Sequence, residues 1–341
     1  MKKVAVVILN WNGAKMLQQF LPSVIENTNG ELAEIIIADN GSDDNSIELL
    51  EKEYPEVRLI KFTENYGFTG GYNRALDQCE HEYYVLLNSD IEVSPRWLDI
   101  LFEQIENDKN IAACQPKIRA YHDKISFEYA GASGGFIDKY GYPFCRGRIL
   151  STIEKDEGQY NDMRKVHWAT GACLMVRSKT YKQLGGLDNR FFAHMEEIDL
   201  CWRINNLGMK VMVVPESVVY HVGGGTLPNN SPRKLFLNYR NNLLLLYKNL
   251  PKSELNRTMR MRFWLDMMSA ALYAAQFKFA FAAQVFKARK AYKKMKPLYK
   301  ETRLEADKQL THEASDVIFN KSIVWQYFIK GKKNYSQLPL S

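Results

Sequence analysis

The sequence contains three groups of residues with the side chains that metal binding and acid–base chemistry need. Asp90 ends the apolar run Leu86–Asp90, Glu197 lies in the acidic segment Met195–Arg203, and His221 precedes three glycines. Carboxylate oxygens and an imidazole nitrogen can bind a divalent cation. A single carboxylate can act as a general base. The sequence therefore offers a metal site and a proton acceptor.

Each group also fits a structural role when it is taken alone. Asp90 can form a turn or cap the next helix. The acids of Met195–Arg203 can complement the positive end of a helix, and Asp199 can pair with Arg203 four residues later. A histidine at a strand end, such as His221, is more often a hydrogen-bonded structural residue than a metal ligand.

The first 107 residues alternate short apolar runs with helical patterns. Strands are predicted at Val4–Leu9, Glu34–Ala38, Val57–Phe62 and Tyr83–Leu87. Helices are predicted at Lys15–Asn27, Asp43–Glu53, Gly70–Gln78 and Pro95–Asn107, the last with its proline in the first turn. This β-α-β-α order predicts an α/β fold whose mostly parallel sheet is covered by helices. Such sheets bind ligands beyond the carboxyl ends of their strands.

Polar residues follow three of these strands. They are Asn10-Trp11-Asn12, Asp39-Asn40-Gly41-Ser42 and Asn88-Ser89-Asp90. Any one of the three could be an ordinary turn, because Asn, Asp, Gly and Ser favour turns. Three polar tips at one edge of a sheet favour a ligand-binding crevice.

Residues 108–232 are less regular. Strands are predicted at Val166–Ala169, Ala172–Val176, Lys210–Val214 and Ser217–His221, with a helix at Met195–Leu207. The segment Gly223–Pro232 has turn composition throughout and is predicted to be a mobile lid or a linker.

Composition and absent motifs exclude several classes of protein. The chain has 341 residues, 46% apolar and 25% charged, which is the ordinary globular mix. Its five cysteines include no C-x-x-C pair, which argues against a disulfide scaffold or a zinc cage. There is no G-x-G-x-x-G, P-loop or G-x-S-x-G motif, which disfavours three common nucleotide-binding and hydrolase folds. The apolar run Val4–Leu9 is too short for a signal peptide, so a cytoplasmic location is expected.

Charge is divided unevenly along the chain. Residues 233–341 hold 22 Lys and Arg against 7 Asp and Glu, whereas residues 1–232 hold 24 against 32. We predict a catalytic domain over 1–232 and a basic helical extension over 233–341. A basic tail suits an anionic surface. No nucleic-acid motif accompanies it, so the inner membrane surface is the expected partner and nucleic acid is not.

The extension contains a long apolar stretch, Phe263–Phe286, followed by a basic run. It can be an interfacial helix, a helix packed on the catalytic domain, or a membrane span. Asp266 and Lys278 oppose a span, because a central charge costs about 2.5–3.5 kcal/mol on insertion scales. An interfacial helix beside a polybasic run is the favoured interpretation.

A set of motifs gives the sequence a specific resemblance. In order they are V-V-I-L-N-W-N-G, A-D-N-G-S-D-D-N-S, N-Y-G-F-T-G-G-Y-N-R-A, L-L-N-S-D-I-E-V, T-G-A-C-L-M-V-R, E-E-I-D-L-C-W-R and Y-H-V-G-G-G. Over about residues 1–249 the chain resembles the family 2 glycosyltransferases of GT-A fold. It looks closest to the bacterial rhamnosyltransferase-like branch that builds surface polysaccharides.

The resemblance implies a nucleotide-sugar donor and a set of residues that bind it. That set is Asn10, Asn12, Asp39, Asn65, Gly67, Gly70, Asn73 and Arg240. Asp39 stands where the family's aspartate contacts the base and ribose, and Asn10 and Asn12 flank that pocket. Arg240 is expected to reach the diphosphate when the lid closes.

The resemblance also implies a divalent cation, Mn²⁺ or Mg²⁺, and a catalytic base. Asp90 matches the last residue of the family's D-x-D metal motif, and His221 matches its third metal-site residue. Asn88 replaces the first aspartate of that motif, which removes one carboxylate from the metal site. Glu197 matches the catalytic base, which is commonly an aspartate in the family.

Together these features predict an inverting glycosyltransferase. It would move a sugar from dTDP-rhamnose or a UDP-sugar to a hydroxyl of a lipid-linked saccharide, peripherally at the cytoplasmic face of the inner membrane. Two alternatives remain. A sugar-phosphate nucleotidyltransferase needs a basic Gly-rich turn after the first strand, which is missing here. A degenerate membrane-binding module without catalysis would accommodate the substitutions at Asn88 and Glu197.

Overall fold

The computed structural model describes residues 2–223, 231–303 and 316–339. The first elements are β1 (Val4–Asn10), α1 (Ala14–Asn27), β2 (Ala33–Asp39), α2 (Ser46–Glu53), β3 (Arg58–Lys61), α3 (Gly67–Leu76), β4 (Tyr83–Asn88), β5 (Ile91–Val93), α4 (Trp97–Asn107) and β6 (Ile111–Ala120). There follow β7 (Gly135–Asp138), β8 (Pro143–Cys145), β9 (Arg148–Ile149), β10 (Thr152–Ile153), β11 (Arg164–Lys165), β12 (Cys173–Arg177), α5 (Ser178–Gln183), α6 (Glu196–Asn206) and β13 (Lys210–His221). The chain continues with α7 (Pro232–Asn249), α8 (Lys252–Ala275), α9 (Phe279–Met295), β14 (Ile318–Phe319) and α10 (Ile323–Phe328).

The main sheet has the strand order β11-β13-β6-β12-β4-β1-β2-β3, with β5 paired to β13. β3, β2, β1 and β4 are parallel, β12 is antiparallel to both β4 and β6, and β13 is parallel to β6. The carboxyl ends of β1, β2, β4 and β13 therefore lie at one edge of the sheet. This confirms the predicted α/β class with its mostly parallel sheet.

Most predicted elements of the first half are confirmed, with small differences at their starts. α4 begins at Trp97 and not at Pro95, because Arg96 adopts a left-handed φ of 60° and closes a turn from Ser94. α2 begins at Ser46, because the Asp44 carboxylate accepts the Ser46 backbone N–H at 3.0 Å and keeps the preceding residues in a turn.

The predicted strand at Val166–Ala169 is wrong. The Val166 N–H donates to the Val211 carbonyl, whereas the N–H groups of His167 and Trp168 both donate to the Gly135 carbonyl, so no ladder forms. The segment is apolar because it is buried under a second sheet, of order β10-β9-β8-β7-β14, which the sequence analysis missed. Gly135 permits this packing, since a Cβ atom there would lie 2.1 Å from the Trp168 indole. The two strands predicted within 210–221 are one strand, β13, with a bulge between Val214 and Val218.

The hydrophobic core continues across residue 232, where the sequence predicts a domain boundary. The side chains of Leu243–Leu246 in α7 are fully buried in the same cluster as residues of β1, β4 and β12. Farther along the extension, β14 pairs with β7, and Tyr335 packs against Phe136 and Phe144. The sheet and the extension thus share one core.

The stretch Phe263–Phe286 is not one helix. α8 ends at Ala275 and α9 begins at Phe279, with Phe277 between them in a left-handed conformation of φ 59°. The two helices form an antiparallel hairpin. In the part of the chain that the structure describes, no helix has both the length and the apolar character that crossing a bilayer requires. Most of the predicted lid, residues 224–230, lies outside the described residues.

Candidate active site

The ends of three strands bring the predicted polar tips together. Asn10 closes β1 and pairs in register with Asp39 at the end of β2, while Leu9 pairs with Asn88 at the end of β4. His221 ends β13 at the same edge. Because these strands end at the same edge of the sheet, they bring together side chains that are up to 211 positions apart in the sequence.

Asp39 is the centre of the first pocket at this edge. Its buried carboxylate accepts the Asn10 side-chain amide at 2.9 Å and the Ser42 backbone N–H at 2.9 Å. Asn12, with a left-handed φ of 52°, receives Asp43 N–H on its side-chain oxygen at 2.9 Å. The three predicted residues Asn10, Asn12 and Asp39 thus form one hydrogen-bonded rim.

The loop before α3 borders this pocket. The buried Asn40 amide donates to Asn65 Oδ1 at 3.0 Å and to the Gly67 carbonyl at 3.1 Å. Gly67 has a φ of +72°, and a Cβ atom there would lie 3.0 Å from the Phe192 ring. The positive φ therefore favours glycine at residue 67, and a Cβ atom there would also require the Phe192 ring to shift slightly.

Asn73 has a different position from the other predicted nucleotide-binding residues. Its amide nitrogen donates to the Leu187 carbonyl at 2.7 Å and to Asn189 Oδ1 at 2.9 Å. Its oxygen accepts Tyr181 O–H at 2.6 Å and Leu187 N–H at 3.0 Å. All the hydrogen-bonding capacity of this amide is engaged by protein groups, so Asn73 fixes the 187–189 loop against α3. Gly70 faces the same loop, because a Cβ atom there would lie 3.9 Å from Asn189 Oδ1.

Asp90 and His221 form the second part of the site. The turn after β4 carries Asp90 to β5, which pairs with β13 and sets Ile91 opposite His221. As a result Asp90 Oδ1 lies 3.2 Å from His221 Nε2, and the Asn88 amide lies 3.4 Å from the same nitrogen. Burial alone would raise the pKa of Asp90, but the hydrogen bond and charge of His221 outweigh it and lower that pKa.

Glu128 is a residue of this site that the sequence analysis missed. Its Oε1 lies 3.6 Å from His221 Nδ1, and a Cβ atom on Gly223 would lie 2.9 Å from the same oxygen. Burial opposes a charge on His221, but the hydrogen bonds and charges of Asp90 and Glu128 raise the pKa of His221 to about 10. Glu128 follows an irregular segment with no motif, so no local signal marks it.

The donor set suits a divalent cation that arrives with a ligand of its own. Asp90 would supply an oxygen, and His221 would supply Nε2 only after losing the proton that its raised pKa keeps on the ring, because the metal ligand is the neutral imidazole. Within residues 2–223, 231–303 and 316–339, no three His, Cys, Asp or Glu side chains come together as a metal-binding group. A cation here would complete its coordination with phosphate oxygens and water, as Mg²⁺ and its substrates commonly do.

Glu197 lies at the start of α6, beside the same edge of the sheet. A Cβ atom on Gly171 would lie 3.7 Å from Glu197 Cβ, and the next residue, Ala172, accepts a hydrogen bond from Asn88 N–H at 2.9 Å. Burial raises the pKa of Glu197 to about 7. Its Oε2 has no hydrogen-bond partner among the described residues. A carboxyl group of this kind is suited to accept a proton near neutral pH.

The loop before Glu197 is strained and is held from α7. Phe192, His194 and Met195 all have a positive φ, between 68° and 73°. Asn241 is fully buried, and its amide nitrogen donates to the carbonyls of residues 191, 193 and 194 at 2.8–3.0 Å. Arg240, predicted to meet the diphosphate, donates to the Phe191 carbonyl at 2.9 Å and to Asn241 Oδ1 at 2.8 Å. We name Arg240 and Asn241 the α7 clamp.

Asp199 has the structural role that its spacing from Arg203 indicates. It is fully buried and pairs with Arg203 at 2.8 Å and with Lys248 of α7 at 2.8 Å. Lys248 also pairs with Asp188 at 2.9 Å. This buried network joins α6, α7 and the 188–191 turn, and so supports the loop that carries Glu197.

Solved structures share this fold. The crystal structure of GalNAc-T7 with UDP, GalNAc and Mn²⁺ aligns with a TM-score of 0.62 at 16% identity, covering 100% of this chain and 58% of that one. S. aureus TarS 1–349 in complex with UDP-GlcNAc aligns with a TM-score of 0.58 at 13% identity, covering 98% of this chain and 93% of that one. The fold is that of the GT-A glycosyltransferases.

Sequence comparison gives the family. A model described as Glycosyl transferase family 2 matches residues 5–185, more than half of the chain. The protein belongs to glycosyl transferase family 2, and it is a glycosyltransferase of the rhamnosyltransferase-like kind. One relative, the N-acetylglucosaminyl-diphospho-decaprenol L-rhamnosyltransferase of Mycobacterium tuberculosis, is 28% identical over 234 residues, which are 63% of this chain and 75% of the relative.

Proposed function

We propose that this glycosyltransferase moves a sugar, with inversion at the anomeric carbon, from a nucleoside-diphosphate donor to a hydroxyl of a lipid-linked saccharide. The donor is dTDP-rhamnose or a UDP-sugar. The observation that carries the proposal is the Asp90–His221 pair. Asp90 Oδ1 lies 3.2 Å from His221 Nε2, at the same edge of the sheet as Asp39 and Glu197. The mycobacterial relative is named for rhamnosyl transfer to a decaprenol-linked acceptor.

The donor would span the edge of the sheet from Asp39 to Asp90. Asn10, Asn12 and Asp39 would bind the nucleoside, with Asn65, Gly67 and Gly70 forming the floor beside it. Asn73 shapes this floor by holding the 187–189 loop. Asp90 and His221 would hold Mn²⁺ or Mg²⁺ against the diphosphate. When bound, that cation neutralises charge on the departing diphosphate.

Glu197 would act as the general base. The acceptor hydroxyl loses its proton to the Glu197 carboxylate as its oxygen bonds to the anomeric carbon. At the same time the bond from that carbon to the diphosphate oxygen breaks, and the diphosphate leaves with the electron pair. One such displacement inverts the anomeric centre and needs no protein nucleophile. The raised pKa of Glu197 makes the carboxylate a stronger base than an exposed glutamate.

We place the enzyme at the cytoplasmic face of the inner membrane, where lipid-linked acceptors and nucleotide sugars are both accessible. The basic extension supports this placement, because Lys and Arg side chains are attracted to anionic lipid headgroups. The Arg240 guanidinium belongs to the α7 clamp, and we propose that it acts on the diphosphate indirectly, through the loop that it holds.

A thermal-shift series tests donor and metal together. The protein is heated with dTDP, UDP or GDP, each with and without Mn²⁺ or Mg²⁺. A ligand that binds only the folded state raises the midpoint. We expect a metal-dependent shift with dTDP or UDP that is lost in Asp90→Asn and kept in Asp99→Asn, a half-exposed control in the first turn of α4.

Product analysis then separates the alternatives. Transfer of a sugar to a lipid-linked saccharide, lost in Glu197→Gln with nucleotide binding intact, supports the proposal. Release of pyrophosphate from a sugar phosphate and a nucleoside triphosphate would instead indicate a nucleotidyltransferase. Metal-independent or absent nucleotide shifts in the wild-type protein would favour the non-catalytic module.

A further inference from the structure

α8 has the reverse of the usual amphipathic arrangement. Its buried positions recur every four residues, and three of the four carry polar side chains: Thr258, Arg262 and Asp266, followed by Ala270. Its exposed face carries large apolar side chains at the same spacing, namely Trp264, Met268 and Leu272. A helix on the surface of a protein in water normally buries its apolar stripe and exposes its polar one.

The charged groups on the buried face of α8 are paired inside the protein. Asp266, which is completely buried, pairs with Arg262 at 3.2 Å and with Arg289 of α9. Arg262 also donates to the Tyr140 carbonyl and lies 4.0 Å from the Tyr142 ring centroid. Rotating α8 to bury its apolar face would expel this ion-paired group, so the outward orientation of the apolar face is specified by the interior.

The end of the α8–α9 hairpin continues the apolar surface. Phe277 is 83% exposed and Phe279 is 63% exposed, on either side of Lys278. Trp264, at 68%, is the most exposed residue of the stripe on α8. We name Trp264, Met268, Leu272, Phe277 and Phe279 the hairpin patch. It is an exposed surface of aromatic and aliphatic side chains.

Basic side chains border the hairpin patch. Residues 252–300 contain twelve Lys and Arg and two Asp and Glu, of which Asp266 is buried and paired. On α9, exposed Lys287 and Lys290 lie eight and eleven residues past Phe279, which is about 12–17 Å along a helix. An apolar end followed by cations at that distance matches the order of acyl chains and headgroups in a leaflet.

We propose that the hairpin patch docks on an anionic lipid bilayer, with Phe277 and Phe279 inserted among the acyl chains and Lys287 and Lys290 at the headgroups. This deepens the membrane association proposed above. A second copy of the chain is a poor occupant, because it would bring two strongly basic surfaces together. Anionic lipid neutralises that charge and covers the aromatic side chains in one contact.

Vesicle cosedimentation of the full chain tests the proposal. Vesicles of phosphatidylcholine alone are compared with vesicles containing 30% phosphatidylglycerol, at low and high salt. We expect binding to the anionic vesicles, with Phe277→Ser/Phe279→Ser weakening the partition coefficient about tenfold or more. Lys287→Gln/Lys290→Gln should weaken it about tenfold at low salt and little at high salt.

A matched control removes apolar side chains elsewhere. Ile125 and Ile153 are 59% and 44% exposed and lie outside the hairpin, so Ile125→Ser/Ile153→Ser should bind vesicles like the wild type. Equal losses in this control and in Phe277→Ser/Phe279→Ser would overturn the assignment of the surface. The proposal itself would be overturned if the wild-type protein bound neither kind of vesicle. It would also be overturned if the wild type were a dimer and Phe277→Ser/Phe279→Ser converted it to a monomer.

The same preparations separate this inference from the proposed function. Nucleotide thermal shifts are measured without vesicles on the wild type and on Phe277→Ser/Phe279→Ser. Vesicle binding without any nucleotide shift would leave the docking surface standing and refute the donor assignment. Nucleotide shifts without vesicle binding would do the reverse.

Discussion

The amide of Asn241 should control the activity of Glu197 without contacting any substrate. It is the shared donor to three carbonyls of the 191–194 loop, and three non-glycine residues beside those carbonyls have left-handed backbones. Asn241→Ala removes one donor from each of these buried or half-buried carbonyls, of which only that of Phe191 keeps a donor on Arg240, and this costs about 1–3 kcal/mol in free energy of unfolding. Each left-handed residue stores about 1–2 kcal/mol of strain, so the unclamped loop will relax and shift Glu197.

We therefore expect kcat of Asn241→Ala to fall about 10- to 100-fold, because a base displaced by about 1 Å loses that much. The KM for the donor should rise by a smaller factor than kcat falls, because the clamped loop borders the donor site at the contact of Phe192 with Gly67 and does not include Asp39. Steady-state kinetics well below the unfolding midpoint give both values. Asn242→Ala is the control: Asn242 is also buried, but its amide holds the Gly141 carbonyl at 2.6 Å, in the turn between β7 and β8.

The control should lose a similar amount of stability and keep its kcat. If Asn242→Ala lowers kcat as much as Asn241→Ala does, the effect is general loosening and the clamp argument is refuted. The same conclusion follows if Asn241→Ala unfolds earlier but turns over at the wild-type rate. A partial recovery of kcat in Asn241→Gln would support a hydrogen-bonding role.

Four further predictions concern the charge and shape of the site. The kcat/KM should rise as the pH passes through the raised pKa of Glu197, about 7, because only the ionised carboxylate can accept a proton. A kcat/KM that does not change between pH 6 and 8 would exclude Glu197 as the base. Burial of Glu197 favours its neutral carboxyl, so the folded state gains stability from this group at low pH and loses that gain as the pH rises through about 7. Glu197→Gln, which stays neutral, should therefore raise the melting midpoint at pH 8 while abolishing transfer. Lys248→Met removes a buried cation from Asp199 and should cost about 3–5 kcal/mol by chemical denaturation, whereas an unchanged midpoint would contradict the network. Gly67→Ala should lose about 1–2 kcal/mol and bind nucleotide more weakly by calorimetry, whereas Gly30→Ala, with open space around it, should be neutral in both measurements.

The sheet and its polar edge could be predicted because their signals are local. β1 and β4 are short apolar runs that end in asparagine, and a β-α-β order fixes which ends of parallel strands lie together. That order predicts that Asn10 and Asp39 lie at one edge of the sheet, and the structure adds that they pair in register. The nucleotide, metal and base assignments to particular residues depended on the resemblance to the family, and they remain proposals.

The rest of the site could not be predicted because its contacts join distant segments without a local pattern. Glu128 reaches His221 from 93 positions away, and Asn241 reaches the 191–194 loop from about 50. The break in Phe263–Phe286 was missed for a different reason. Phe277 takes a left-handed conformation that usually marks glycine or asparagine, so the sequence carries no sign of the turn.

The contacts of the extension with the rest of the protein explain its role better than its basic composition does. Residue 232 marks a change in net charge, yet α7 beyond it supplies Asn241 to the catalytic loop and Lys248 to the buried acids. α9 packs along α7 and sends Arg289 to Asp266, while Leu298 just after α9 accepts a hydrogen bond from Arg190 at 2.8 Å. The helices that would touch lipid are therefore bonded to the turn that precedes Glu197. Because that connection is made of packed helices and direct hydrogen bonds and not of a linker, the orientation of the hairpin patch and the orientation of the catalytic loop are set together.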